Sequence, residues 1–536
     1  MISKPVPSRD DQPMERHIGP TGIRPGASAN PQRAAQMLAE AENSRRTGKL
    51  DRAQSLCESL LEKYPDYVGA LQTLGVTQLT KKNFRQALSC FIQAAMLCPK
   101  DCINLNNLAT AYLHLGAREL AAQTLEQARQ LNPDDVNVDF TLAAVYREDR
   151  EYELAAAAYR KVLDRLPAHA DAAHGLGDCS SHLGRIAEAA AALKQAHSSK
   201  PRSVAILYAL SQLPASATDV KILEALEQAR KEEGQTQDDF DIFVAFTRAA
   251  ALDRQSRHLE AWVALQEANR REFPKHEADY RNQAVRMKAA QRDANQPGVR
   301  VGAMRTTPPS HPLSVFIIGP SRSGKTTVER LLGQVEGIRC GYESRLAERT
   351  ARRTSQLSGL LTIRNPADLP TGLADRFRTI YSEEVQNFAR GARIVSDTYP
   401  AMIPYVGRLA TMLPNIRFIF VKRDRHDCAF RIFMKHYRAG NHYAYDIKTI
   451  FHYVSWYYEM IELWLNQFPE ITLSVNYDDM IADPKPTLGR IVEFCGVTIG
   501  GSVPPDLGDD RGCSEPYREF IDIALREDRP DLVWLR

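Results

Sequence analysis

The chain has 536 residues, more than one hydrophobic core ordinarily supports, so its length predicts two or more domains. Its 43% apolar and 25% charged residues are typical of a soluble globular protein. The net charge of +3, from 69 basic and 66 acidic residues, is too balanced to indicate a nucleic-acid-binding protein, so we expect no nucleic acid among its partners.

The N-terminal residues 1–30 are rich in proline, glycine and charge, and they contain no apolar stretch of the kind found in a signal peptide. We therefore expect a disordered tail there. Since no run of about 18 apolar residues occurs in the chain, we expect no membrane span. The nine cysteines are dispersed and lack zinc-binding spacing, which favours reduced thiols and a cytoplasmic protein without a metal.

Residues 31–287 carry an internal repeat. The same residue types return every 34 positions, as prolines at 65, 99, 133, 167 and 201 and as alanines at 53, 87, 121, 155 and 189. Apolar residues within each copy have helical spacing, alanine permits close helix approach, and proline ends the second helix. Because one helix pair cannot bury its apolar face alone, the copies are predicted to stack into an all-α solenoid.

This pattern resembles the tetratricopeptide repeat over about residues 35–205. Residues 240–275 look like one more helical pair, and we expect helices between the two regions. The resemblance implies a concave surface that binds a protein or peptide partner. The alternative is that the repeats serve as a spacer or as a packing platform for the second domain.

Residues 288–312 lack periodicity and are rich in glycine, proline and threonine, which predicts a linker. In residues 313–536 short apolar runs alternate with helical stretches, which predicts a three-layer α/β domain with a parallel sheet. Four runs are predicted as strands, at 314–318, 393–396, 416–421 and 471–475. Polar residues follow each run at once, so we expect them to share the ligand-binding edge of the sheet.

The loop after the first predicted strand has the sequence GPSRSGKT at 319–326 and precedes an apparent helix. It fits the phosphate-loop pattern, in which glycines turn backbone N–H groups inward and the helix N-terminus adds positive charge. We therefore expect it to hold a phosphate or sulfate group. Taken alone, the motif indicates a protein that binds ATP or GTP.

The loop, read as SRSGKTTVERLL, also resembles the 5′-phosphosulfate loop of sulfotransferases. Three further segments are similar to sulfotransferase motifs in the same order: IRCGYESR at 338–345, LPNIRFIFVKRDRHDCAFRIF at 413–433 and LSVNYDDMIADPKPTLGRIVEFCGV at 473–497. The resemblance covers about residues 312–500 and includes segments similar to those of tyrosylprotein sulfotransferases. The order of repeats and transferase domain resembles that of tetratricopeptide-repeat sulfotransferases. It implies transfer of a sulfuryl group from 3′-phosphoadenosine 5′-phosphosulfate (PAPS) to an acceptor hydroxyl, with no metal required.

The resemblance implies a role for each matching residue. The residues matched to binding the donor's phosphosulfate are Arg322, Ser323, Gly324, Lys325, Thr326 and Thr327. Arg423 matches the arginine that holds the donor's 3′-phosphate, and Tyr477 matches a tyrosine near the donor. Glu343 matches the catalytic base, with Arg322 and Lys325 as the cations of the reaction, and Arg345 and Arg349 match positions that face the acceptor.

Simpler roles remain open for some of these residues. Arg423 could instead form a surface ion pair with Asp424 or Asp427. Tyr477 could cap the sheet, and Glu343 could pair with Arg345 or Arg349.

The sequence departs from the family pattern at three positions. Thr398 stands where the family usually has lysine, Arg431 where it has a serine, and Lys325 where it has a threonine. We hypothesise that Lys325 restores the charge missing at Thr398, and that Arg431 contacts the 3′-phosphate.

Two other functions remain open. A phosphate-loop kinase or NTPase would use Thr326 and an acidic strand end such as Asp397 to hold Mg²⁺. A non-catalytic scaffold would combine partner-binding repeats with a degenerate second domain. For the enzyme, the acceptor could be a peptide tyrosine, a glycan or a small metabolite.

Overall fold

A computed structural model describes residues 31–232, 235–295, 311–342, 344–359, 363, 365–413, 415–437, 440–497 and 507–535. The predicted tail 1–30 lies outside these residues. The chain divides into two compact units, Met1–Ser199 and Lys200–Arg536.

The first unit consists of helices that pack in consecutive pairs. They are α1 (Pro31–Arg46), α2 (Leu50–Lys63), α3 (Val68–Thr80), α4 (Phe84–Leu97), α5 (Cys102–His114), α6 (Arg118–Leu131), α7 (Val136–Glu148), α8 (Tyr152–Arg165), α9 (Ala170–His182) and α10 (Ile186–Ser199). The 34-residue pattern thus predicted the helix pairs of this unit.

The repeated alanines are the contact points of the helices. All five have no exposed surface: Ala53, Ala87, Ala121, Ala155 and Ala189. Each repeated proline follows the end of the second helix of its pair, because proline has no N–H to continue the ladder. The helices can therefore approach closely, and each pair ends at a set position.

The turn within each helix pair requires one residue in the left-handed backbone conformation, with a positive φ. Gly48, Gly116 and Gly184 have φ values of 75°, 74° and 73° at equivalent positions of alternate copies. In the two copies between them the same conformation is taken by Lys82 and Arg150, both with φ of 62°. A side chain in this region costs free energy that glycine avoids.

The second unit begins with helices α11 (Val204–Ser211), α12 (Ile222–Glu227), α13 (Gln237–Asp253) and α14 (His258–Ala294). The expected helical pair at 240–275 therefore exists. Its second helix continues past Pro274 to Ala294, so the first residues of the predicted linker 288–312 are helical, and residues 296–310 lie outside the described residues.

These helices share an apolar core with the α/β part of the same unit. Trp262 of α14 packs on Phe433 and Phe520, and the hydroxyl of Tyr280 donates to the carbonyl of Thr449 at 3.1 Å. The division between the compact units consequently falls after Ser199, inside the region 31–287 that the sequence pattern assigned to repeats.

Within the described residues, five parallel strands form one sheet in the order β2-β3-β1-β4-β5. They are β1 (Leu313–Ile318), β2 (Ile338–Cys340), β3 (Ile394–Thr398), β4 (Ile416–Lys422) and β5 (Thr472–Asn476). The four predicted strands are confirmed, and the short edge strand β2 is an addition. The chain leaves β1 and β4 in opposite directions, and the crevice beyond the ends of two such neighbouring strands is where parallel α/β sheets bind their ligands.

Helices cover both faces of the sheet. Those of the α/β part are α15 (Lys325–Leu332), α16 (Leu346–Leu357), α17 (Ala374–Ala389), α18 (Val406–Met412), α19 (Arg425–Phe433), α20 (Ile447–Gln467), α21 (Tyr477–Ala482), α22 (Pro484–Cys495) and α23 (Arg518–Arg526). Short 3₁₀ helices occur at Ala215–Ala217, Pro366–Asp368, Thr371–Leu373, Pro400–Tyr405, Glu515–Tyr517 and Pro530–Leu535.

Alternate residues of the central strands enter different cores. Phe316 and Phe418 face the core shared with α13, α14 and α20, whereas Ile317 and Ile419 face the core formed with α15 and α22. This period of two explains why the central strands read as continuous apolar runs.

We expect Lys82→Gly to stabilise the first unit by roughly 0.5 kcal/mol or more, since glycine adopts the left-handed turn without strain. The matched reverse change, Gly116→Lys, is expected to destabilise it by about 1 kcal/mol. Amide hydrogen exchange of α3 to α6 measures both effects. Equal protection in the two variants would show that the turn conformation carries no strain.

Candidate active site

The loop between β1 and α15 is held against two neighbouring elements. Gly324, with φ of 98°, ends the loop, and a Cβ atom there would lie 2.2 Å from Cδ2 of Tyr477. A Cβ atom at Gly319 would lie 2.8 Å from the carbonyl oxygen of Val421 in β4. Both glycines are therefore required for close packing, and the loop lies at the crevice beside β4.

The side chains of the loop differ in how they are engaged. Lys325 is buried and its Nζ donates to the carbonyl of Pro320 at 2.7 Å. The hydroxyl of Ser323, also buried, has no hydrogen-bond partner among the described residues. Thr326 is exposed and Thr327 is half-buried. Burial, together with the charge of Arg431, lowers the pKa of Arg322.

Arg423 follows β4 directly, and its side chain is only 2% exposed. The hydroxyl of Tyr458 accepts from the backbone N–H of Arg423 at 3.1 Å and donates to its carbonyl at 2.7 Å. The guanidinium lies over the ring of Tyr477 at 4.4 Å, and its Nη1 donates to the carbonyl of Arg322 at 3.3 Å. Arg423 thus joins the end of β4 to the loop after β1.

Arg423, Arg431 and Tyr477 converge on the carboxylate of Asp510. Nη2 of Arg423 lies 3.1 Å from Oδ1, Nε of Arg431 lies 3.1 Å from Oδ2, and the phenol of Tyr477 donates to Oδ1. Burial is the largest single influence and would lower the pKa of Arg423, but Asp510, Cys513, Tyr477 and Asp427 together outweigh it and raise the pKa. The structure therefore contains an anion-binding cluster next to the phosphate loop.

The segment that carries Asp510 is anchored separately. Asp427, on α19, accepts from the N–H of Gly512 at 2.7 Å, and from the N–H and hydroxyl of Ser514 at 2.9 and 2.6 Å. Burial would raise the pKa of Asp427, but these hydrogen bonds lower it. The carboxylate is therefore ionised at neutral pH and fixes residues 512–514.

Two buried carboxyl groups accept hydrogen bonds from the backbone of residues 341, 342 and 346. Glu329 of α15 accepts from the N–H groups of Gly341 and Tyr342 at 2.9 and 3.1 Å, and from the hydroxyl of Ser396 at 2.7 Å. Asp397, at the end of β3, accepts from the N–H of Leu346 at 3.3 Å. The backbone on both sides of position 343 is therefore tied to the sheet and to α15.

Burial raises the pKa of both carboxyls. The pKa of Asp397 is raised from 3.8 to about 7, first by burial and then by the nearby charge of Glu329. The pKa of Glu329 is raised chiefly by burial. Because each ionised carboxylate disfavours ionisation of the other, the pair holds protons more tightly than isolated carboxyls.

The predicted acceptor-facing residues lie at the start of α16. Nη1 of Arg345 is 3.7 Å from Oε2 of Glu348, and its guanidinium lies 5.6 Å from the ring centre of Tyr399. Arg349 is half-buried one turn further along. Glu343 lies outside the described residues, and Thr398 is buried at the end of β3.

Sequence reasoning missed Asp510, Asp427 and Glu329 as parts of this site. Asp427 was considered only as a possible ion-pair partner of Arg423, from which it lies 3.7 Å, and Glu329 stood inside a matched segment without a role. Asp510 lies in residues 501–536, where no motif was recognised, and its only signal was the acidic pair DD before RG.

Aromatic side chains after α19 are mostly core. Tyr443, Tyr445, Tyr453, Trp456, Tyr457 and Tyr458 are buried. The first of the helices before the sheet also reaches this region, since the hydroxyl of Tyr208 accepts from the N–H of His436 at 3.0 Å.

No set of three or more histidine, cysteine, aspartate or glutamate side chains in the described ranges is placed to hold a metal ion. The helices of the described part of the chain include none that is long and apolar enough to cross a membrane.

Comparison with known proteins assigns both parts of the chain. The model of the Sulfotransferase family matches residues 312–500. Models of the tetratricopeptide repeat match residues 104–135 and 140–204.

Individual relatives are more distant. An uncharacterized protein of Aquifex aeolicus is 22% identical over 70% of this chain and 50% of its own length. Protein-tyrosine sulfotransferase 2 of Gallus gallus is 25% identical over 35% of this chain and 52% of its own length. A solved TPR protein of Thermus thermophilus is 22% identical, with a TM-score of 0.31, over 36% of this chain and 99% of its own.

The chain spans about half the length of these two curated relatives. The ordered motifs, the parallel sheet and the family matches all indicate the same division into helical repeats and a sulfotransferase-like domain. Residues 312–500 therefore form a sulfotransferase-family domain, and the helix pairs that precede it include tetratricopeptide repeats.

Proposed function

We propose that the second unit transfers a sulfuryl group from PAPS to an acceptor hydroxyl. The observation that carries this proposal is the convergence of Arg423, Arg431 and Tyr477 on one carboxylate beside the phosphate loop. Two anion sites in one crevice suit a donor that carries a 5′-phosphosulfate and a 3′-phosphate.

The residues in the crevice fit such a donor. The Ser323 hydroxyl and Nε of Arg423 are buried without hydrogen-bond partners among the described residues. The two arginines already bind the oxygens of one anion, the Asp510 carboxylate. Arginine suits phosphate for the same reason, because its planar fork donates two parallel hydrogen bonds.

Each residue then has a proposed role. Arg322, Lys325 and the N-terminus of α15 would stabilise the charge that develops on the sulfuryl and leaving oxygens, supported by Ser323, Gly324, Thr326 and Thr327. Arg423 and Arg431 would hold the 3′-phosphate, and Tyr477 would support both anions from its position over Gly324.

We propose that Glu343 is the base that accepts the proton. In the sequence it lies between Tyr342 and Leu346, whose N–H groups donate to Glu329 and Asp397. When bound, the donor supplies the activated sulfuryl group and leaves as 3′,5′-ADP. The acceptor oxygen forms the new bond to sulfur, the bond from sulfur to the leaving oxygen breaks, and Glu343 takes the hydroxyl proton. Arg345 and Arg349 would face an anionic acceptor, which could be a peptide tyrosine, a glycan or a metabolite.

The contacts of Asp397 weigh against the NTPase alternative. Asp397 is buried, and one of its oxygens accepts from the N–H of Leu346. That oxygen is already engaged by the backbone and is less available as a Mg²⁺ ligand. Arg423, moreover, has no role in that mechanism.

The repeats are proposed to recruit a protein or peptide through their concave surface. We also propose a cytoplasmic location, consistent with the presence of all nine cysteines as thiols.

Calorimetric titration with 3′,5′-ADP tests the donor site directly. We expect binding without metal, weakened about 100-fold by Arg423→Ala, because a buried charge pair is lost. Arg431→Ala, at a half-exposed position, should weaken binding about tenfold without endangering the fold. Arg526→Ala, which removes an exposed charge on α23, is the control. Metal-dependent ATP binding that ignores Arg423 would support the NTPase instead.

Asp397→Asn tests the buried carboxyl pair. Because the folded pKa of Asp397 is raised, its stabilising protonation is complete below pH 3.8 and is lost as the pH rises through about 7. Asparagine keeps an acceptor for Leu346 but does not titrate. The variant's free energy of unfolding, relative to the wild type, should therefore increase with pH across this window, by at most about 1.4 kcal/mol per pH unit.

Tryptophan fluorescence during urea unfolding measures this effect selectively, since all four tryptophans lie in the second unit. Asp375→Asn on α17, where the side chain is 89% exposed, is the matched control. A pH dependence identical in Asp397→Asn and the wild type would contradict the raised pKa.

A further inference from the structure

Asp510 occupies a position that the proposed donor needs. Both of its carboxylate oxygens contact the arginines assigned to the 3′-phosphate, and Oδ1 also accepts from Tyr477. The protein's own carboxylate therefore makes the charge-assisted hydrogen bonds that a phosphate group would make.

We infer that the Asp510 carboxylate is an internal anion that occupies the 3′-phosphate position and sets the affinity of the site for 3′-phosphorylated nucleotides. This inference rests on the proposed function. It adds a specificity-determining residue from a segment in which no family motif was recognised.

Charge repulsion prevents the Asp510 carboxylate and the donor's 3′-phosphate from binding the same arginines together. Arg322, Arg423 and Arg431 form a cluster of positive charge, in which Arg431 lowers the pKa of Arg322. The Asp510 carboxylate contacts two of these arginines, and Asp427 lies 3.7 Å from Nη2 of Arg423. A phosphate that enters next to an ionised Asp510 would place like charges in contact, so Asp510 must turn away or weaken binding.

The carboxylate stays ionised under ordinary conditions. Burial would raise the pKa of Asp510, but the charges of Arg431 and Arg423 outweigh it and lower the pKa. Protonation therefore does not release Asp510 near neutral pH, and a competing anion is the agent that would displace it.

The local backbone allows the side chain to move while the segment stays in place. Gly512 and Ser514 are fixed by Asp427, independently of Asp510. Gly508 and Gly512 flank the position with φ of 69° and 65°, and the Asp510 side chain is already 32% exposed. A rotation of Asp510 toward solvent therefore leaves the anchor of the segment intact.

The test compares 3′,5′-ADP with 5′-AMP by calorimetry on the full chain. Asp510→Asn keeps the size of the side chain and removes its charge, so we expect 3′,5′-ADP to bind about tenfold more tightly. The affinity for 5′-AMP should change less than about threefold, since that nucleotide has no 3′-phosphate. Asp509→Asn removes an exposed charge next to this position and should change neither affinity by more than about threefold.

Melting temperatures keep the test decisive if the variant is less stable. Arg423 and Arg431 lose their shared counter-ion in Asp510→Asn, so the melting temperature of the variant should fall without ligand. It should rise more than that of the wild type on addition of 3′,5′-ADP.

Two results would overturn the inference and have different meanings. If both proteins bind 3′,5′-ADP and the variant binds equally or less tightly, Asp510 does not compete with the 3′-phosphate, and the proposed function stands. If neither protein binds 3′,5′-ADP at millimolar concentration, the proposed function fails and the inference fails with it.

Discussion

The guanidinium of Arg423 is a positive charge almost completely removed from water. The residues around it in the candidate site compensate for its lost hydration. An unpaired buried charge costs several kcal/mol, so the surrounding structure must supply an anion and hydrogen-bond acceptors. Asp510 supplies the anion, the ring of Tyr477 covers the cation, and the carbonyl of Arg322 accepts a hydrogen bond. These contacts come from separate parts of the chain, and they meet because β1 and β4 end side by side.

A second constraint acts on the opposite side of the loop. Glu329 and Asp397 are buried carboxyls whose hydrogen bonds hold the backbone around position 343. Such groups contribute little net stability, because their desolvation offsets most of the hydrogen-bond energy. Their value is positional, since they fix a loop segment to the rigid sheet. The site therefore combines an anion cluster on the β4 side of β1 with an anchored loop on the β3 side.

The helices between the repeats and the sheet have a structural role that their sequence did not disclose. Residues 240–275 look like a repeat pair, and they do form helices. Their apolar faces, however, are buried against α20 and its neighbours by residues such as Trp262 and Tyr280. Tyr208 extends this support to the segment after α19. Amphipathic spacing shows that a helix has an apolar face, but it carries no information about which surface covers that face.

By itself, the sequence determined the repeats, the parallel sheet, the loop between the first strand and its helix, and the place of Arg423 directly after a buried strand. These features depend on local patterns: a 34-residue period, apolar runs before polar residues, and the GPSRSGKT sequence at 319–326. Only the tertiary structure decided that Arg431 and Tyr477 meet Arg423 on one carboxylate, and that Asp510 provides it. Those contacts join residues far apart in the chain, and their geometry follows from strand order and packing, which no local pattern encodes.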